Sequence, residues 1–104
     1  MIRIPTRRAP THPGEMLEEE FLKPMNITHQ RLANSVHLSL ESVEKIIDGR
    51  AGMTPSSALR LAKYFGTTAD FWMSLQLRWD LYHAQQLESE ALASIELCHA
   101  AQAS

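Results

Sequence analysis

The sequence predicts an all-α fold: a bundle of five to six helices that includes a helix-turn-helix. Three observations lead to it. Apolar residues recur at helical spacing from residue 16 to residue 82, and each such run follows a proline or hydroxyl residue able to start a helix, namely Pro13, Thr28, Ser39, Thr54 and Thr68. Glycine and proline punctuate the first two thirds of the chain and are absent after Gly66. A short stretch, "NSVHL" at residues 34–38, separates two of the helical runs by the length of a tight turn.

Taken in order, residues 1–12 hold Arg3, Arg7 and Arg8 and no acid, while Pro5, Pro10 and Pro13 push their predecessors out of the helical region. An extended basic arm is expected there; an unstructured end, or a reach to DNA or a partner, both stay open. The first helix begins near residues 13–15, where proline suits the first turn and glutamate favours the positive helix end. Met16, Leu17 and Phe21 face inward, and Pro24 is expected to end it. Thr28 caps the second helix, which buries Leu32, Ala33 and Val36. Ser39 caps the third, with Val43, Ile46 and Ile47 on its core face and Gly49 as its stop.

"TPSSALRLAKYFG" is the clearest helix. Thr54 caps it, Pro55 takes its first position, Gly66 closes it, and Ala58, Leu59, Ala62 and Phe65 line a face. Thr68 starts the fifth helix, and with no breaker after Gly66 it is expected to continue, with at most one bend, to about residue 97. The expected organisation is an arm over residues 1–12, a helix-turn-helix domain over 13–84 and a helical extension over 85–104.

Composition limits function. At 104 residues, 44% hydrophobic and 21% charged, the chain fits one soluble domain and leaves little room for a large substrate cleft. A net charge of −2 gives no overall pull toward nucleic acid, so any such binding must come from local distribution. Residues 28–65 hold five bases, Arg31, Lys45, Arg50, Arg60 and Lys63, against three acids; residues 13–27 and those from 66 onward are acidic. The single cysteine, Cys98, excludes an internal disulfide framework and fits a reducing compartment. No run approaches the ~20 apolar residues of a membrane span and no charged-then-apolar leader opens the chain, so a cytoplasmic location is expected.

Two capped helices around a tight turn are the form that places a second helix on DNA. Here that helix carries Glu41, Glu44 and Asp48 against Lys45 alone. On a wheel these four share the outer side, with Glu41 and Lys45 four apart and Lys45 and Asp48 three apart, so a self-paired solvated face is one reading. The other is base reading, with Glu41 accepting from a cytosine amine and Ser42 and Lys45 reaching base edges or phosphates. Ser39 is a cap first and a phosphate donor second. Arg50 suits a phosphate as well as the negative helix end.

The stretch "QRLA" at residues 30–33, "IxxGR" at 46–50, the opening "THPGEMLEEEFL" and the stretch "GMTPSSALRLAKYFGTTADFWMSLQLRWDL" resemble the small HigA-type antitoxins, also known as virulence-associated protein I-like. These are XRE, or Cro-type repressor, helix-turn-helix regulators with a lambda repressor-like fold. The resemblance spans about residues 10 to 84. It implies a homodimer that binds an operator upstream of its own genes and neutralises a RelE- or HigB-like mRNA-cleaving toxin. It also makes Gln30 an expected DNA contact, beside Ser39, Glu41, Ser42, Lys45 and Arg50. The chain departs from the family twice: His37 stands where glycine is usual in the turn, and the third helix is more acidic than most.

Trp72, Leu75, Trp79 and Tyr82 recur at intervals of three, four and three, and with Leu81 form the expected dimer or partner seam; completion of the core by Trp72 and Leu75 is the alternative. The histidines His12, His29, His37, His83 and His99 lack metal-ligand spacing, and no nucleophile, acid/base pair or phosphate loop appears, so neither cofactor nor catalysis is expected. Besides the antitoxin, a stand-alone repressor without a toxin and a toxin-sequestering module with little DNA affinity remain open.

Overall fold

The computed structural model describes residues 9–98, and among these it is all helical. Helix α1 consists of Pro13–Leu17, a π-helical turn at Glu18–Leu22, and Lys23–Met25. It is followed by α2 (His29–Val36), α3 (Leu40–Ile47), α4 (Pro55–Phe65), α5 (Ala69–Leu87) and α6 (Ser89–Ala93). The arginines of the N-terminal arm, Arg3, Arg7 and Arg8, and His99 lie outside the described residues.

The caps are local chemistry and stand where the sequence puts them. Thr28, Ser39, Thr54 and Thr68 each accept a hydrogen bond from the backbone N–H three residues on, offsetting one orphan donor of the following helix. Pro55 occupies the first turn of α4, and Gly66 closes it at φ 74°.

Pro24 does not end the first helix, which runs on to Met25. In an α-helical ladder proline would lose a bond and crowd the carbonyl four residues back. The π-turn widens the coil just before it, with the Lys23 N–H donating to the Glu18 carbonyl, and the chain leaves the helix at Asn26, φ 60°.

Trp72 is the centre of the core, fully buried, with the rings of Phe71, Phe21 and Phe65 at 5.0, 5.1 and 6.3 Å. Its indole N–H donates to Thr67 Oγ1 at 2.9 Å, so the one polar atom on the buried ring is satisfied. Leu17, Leu22, Leu32, Val43, Ala58 and Leu61 fill the remaining space. On α4 the buried leucine is Leu61, whereas Leu59 is 62% exposed. At about 100° per residue, Leu61 lies ~60° from Ala58 and ~40° from Phe65, whereas Leu59 lies ~100° from Ala58 in the other direction and ~120° from Phe65. Met16, Phe21 and Ile47 are half-buried.

The last helical stretch is shorter than expected. Helix α5 breaks at Glu88, α6 ends at Ala93, and residues 85–98 are exposed throughout. Beyond Tyr82–Ala84 no core remains to pack against, and short helices without tertiary packing are marginal in water.

Candidate nucleic-acid interface

Helices α2 and α3 share one apolar contact: Leu32, Ala33 and Val36 from the first are buried with Val43 and Ile46 from the second. The turn between them depends on His37, held at φ 61° and ψ 44°. This left-handed conformation favours glycine, and histidine is among the side chains that tolerate it. The Leu38 N–H returns to the Ala33 carbonyl at 3.0 Å. From α4, Arg60 Nη1 donates to the carbonyls of Val36 (2.9 Å) and His37 (3.2 Å), across 24 and 23 residues of chain. Sequence reasoning did not find Arg60, since on α4 it reads as an ordinary surface cation.

Behind α3 stands the start of α1, and "HPGE" has a physical meaning there. His12 caps α1, its Nδ1 accepting from the Gly14 N–H at 2.9 Å. Gly14 lies against the backbone of α3, where a Cβ would meet the carbonyl oxygen of Ile46 and come within 2.7 Å of its carbonyl carbon and 2.8 Å of the Ile47 Cα. Only glycine fits so close an approach. His29 makes a second link between the same two helices, its Nε2 3.1 Å from Glu18 and its Nδ1 3.5 Å from Glu44.

His12 is buried, with Trp79 edge-on at 4.9 Å. Burial lowers its pKa below the ordinary imidazole value, against the opposing pull of Asp80 and Glu15. The unfolded chain therefore binds the proton more readily than the fold. The corresponding stability is complete above about pH 6.5 and is lost as the pH falls through that value toward the lowered one. His12→Asn keeps a capping acceptor and removes the titration, so its melting temperature is expected to fall less than that of the wild type between pH 7.5 and 5. Parallel melting curves for the two proteins across this range would refute the assignment.

The outer face of α3 is exposed, and each of its acids has a partner. Glu41 pairs with Lys45 at 3.3 Å, Glu44 faces His29, and Asp48 pairs with Arg50 at 2.9 Å rather than with Lys45 as the spacing suggests. Asp48 prefers Arg50 because it sits at the end of the helix, where the chain turns and brings the guanidinium back to it. Ser39 and Ser42 hydroxyls are bonded to each other at 2.8 Å beside the first turn. Gln30 is exposed near the start of α2, its amide donating to Asn34 at 2.9 Å, and Arg31 beside it is exposed. Gln30, Ser39, Glu41, Ser42 and Arg50 are thus exposed and Lys45 half-exposed, on two consecutive helices and their flanks.

This capped pair of helices within an all-α bundle is found in known proteins. The chain is 43% identical to virulence-associated protein I of Dichelobacter nodosus over 75 residues, 72% of this chain and 69% of that one. It is 36% identical to antitoxin HigA-1 of Vibrio cholerae over 85 residues, 82% and 80% of the two chains. The chain belongs to the HigA antitoxin family. Its fold matches that of antitoxin HigA of Pseudomonas aeruginosa, solved with the higBA promoter, with TM-score 0.80 and 36% identity over 84% of this chain and 96% of that one. No protein-family model matches.

In this HigA-family chain the C-terminal aromatic seam divides. Trp72 has no exposed surface and Leu75 is buried, so both serve the chain's own core and are not available to a partner. A tryptophan at helical spacing fills the nearest cavity, and here α1 and α4 provide one. Trp79 and Tyr82 are half-buried: Trp79 is stacked on His83 at 4.3 Å with His12 on its edge, and Tyr82 meets the same His83 at 5.3 Å. Leu81, 54% exposed, is joined by Leu77 one turn earlier, which the reading of the aromatics overlooked. Among the described residues no His, Cys, Asp or Glu cluster could hold a metal ion, and no helix is long and apolar enough to cross a membrane.

Proposed function

We propose that the chain binds operator DNA as a homodimer, represses its own operon, and neutralises a RelE- or HigB-like mRNA-cleaving toxin in the cytoplasm. The observation that carries the DNA reading is the pairing on α3: Glu41 faces Lys45 and Asp48 faces Arg50, so two of the three acids on the helix are compensated by cations of the same chain as it approaches a polyanion. The exposed first turn, with Ser39, Glu41, Ser42 and Lys45, then meets base edges, while Gln30 and Arg50 hold the backbone. Likeness to an antitoxin solved with promoter DNA supports this role. Leu77, Leu81 and the exposed edges of Trp79 and Tyr82 are the surface on which a second copy would pack. The toxin partner rests on family membership alone.

The test is fluorescence anisotropy of a labelled fragment of the protein's own upstream region, at several salt concentrations, on material shown by sedimentation to be dimeric. Glu41→Ala is expected to relax base preference at one position per half-site, a loss of about 1–3 kcal/mol of discrimination. Arg50→Ala should weaken all sequences alike and lower the salt slope by about one per contact. Asp48→Ala releases Arg50 from its ion pair and should tighten binding without changing preference. If the dimeric wild type binds its promoter no better than scrambled DNA at physiological salt, direct readout is wrong and the toxin-sequestering module takes its place.

A further inference from the structure

We infer that Arg60 is a positioning residue for DNA reading: by clasping the carbonyls of Val36 and His37 it holds the turn that sets α3 against the duplex, without itself touching phosphate. The inference rests on the DNA-binding role proposed above. The last carbonyls of any helix lack intrahelical partners, and an end closed by a left-handed residue other than glycine carries a conformational cost as well. Here both meet at His37, whose φ of 61° has to be maintained for Ser39 to cap α3 in the observed register.

Arg60 answers both needs from another helix. A guanidinium presents its N–H donors in a fixed planar fork, and Nη1 reaches the Val36 and His37 carbonyls together, at 2.9 and 3.2 Å. The Ser56 hydroxyl, 3.3 Å from Nε and one turn back on α4, steadies the fork. Among the described residues no carboxylate forms an ion pair with Arg60, and the two carbonyl oxygens and the Ser56 hydroxyl are the acceptors that hold it. The clasp therefore ties α4, anchored in the core by Ala58 and Leu61, to the left-handed residue in the turn between α2 and α3.

Arg60→Lys preserves the charge but replaces the fork by a single ammonium on a shorter reach. In the full-length dimer, two measurements separate the roles. Promoter affinity is expected to weaken about tenfold, the worth of one charge-assisted hydrogen bond, with the promoter-to-scrambled ratio reduced and the salt slope unchanged. An unchanged ratio, or a slope lowered by about one unit as in Arg50→Ala, would overturn the positioning role. Amide hydrogen exchange of Leu38 reads the clasp without DNA and should accelerate in Arg60→Lys and in Arg60→Gln; protection equal to wild type in both variants refutes it. A wild type that ignores its promoter overturns the DNA reading and with it the positioning role, while the exchange arm still decides whether the clasp exists.

Discussion

Ile46→Asp is expected to leave the domain unfolded, or to melt it far below the wild type. Ile46 is 5% exposed and lies where α3 meets α1 and α2. The substitution removes a buried apolar side chain worth about 1.5–3 kcal/mol and places a carboxylate among aliphatic neighbours, which adds several kcal/mol more. A small domain has a total stability of about 5–15 kcal/mol, so one such change takes most of it. The carboxylate has no cation within the contact to pair with, because the charged residues of α3 are all on its outer side. Thermal unfolding followed by circular dichroism decides the matter, and a melting curve like the wild type's would show that Ile46 does not face the core.

Gly14→Ala presses on the same contact from the other side. Replacing glycine by alanine in a helix ordinarily stabilises by up to about 1 kcal/mol, and less in the first turn. Against this, the new Cβ would fall on backbone atoms of Ile46 and Ile47, not on the end of a flexible side chain that could swing aside. Overpacking costs typically about 1–3 kcal/mol, and an obstacle made of helix backbone puts this site at the upper end, so the sign is destabilising. Helix α1 must shift away from α3, which should also disturb the His12 cap and the His29 bridge. The expected result is a melting temperature lowered by more than 8 °C, on the conversion of about 4–8 °C per kcal/mol for a domain of this size. A variant as stable as the wild type, or more so, would mean that the two helices are not packed this closely.

The two substitutions also show where the sequence was readable. Ile46 stands in a helical stripe with Val43, a pattern visible without coordinates. Gly14 in "HPGE" looks from the sequence like a loose helix start, and nothing local reveals that another helix lies against it. The same contrast holds at the interface. Ser39 was legible as a cap because capping involves only the next three residues. Arg60 was not, because its acceptors are 23 and 24 residues away.

What the sequence determined by itself is therefore the part of the structure whose causes are local or periodic. Four hydroxyl caps, the closing glycine Gly66, the left-handed His37 turn and the core face of α2 follow from chemistry within a turn or two. Tertiary structure decided the rest. It selected Leu61 over Leu59 and placed Trp72 and Leu75 in the chain's own core, because only the packed neighbours say which part of a stripe is covered. It carried α1 through Pro24 by a π-turn, and it ended the last helix early where the core runs out. It paired Asp48 with Arg50 and set Glu44 beside His29, since a side-chain contact depends on where two side chains arrive in space and sequence spacing fixes that only within one helix.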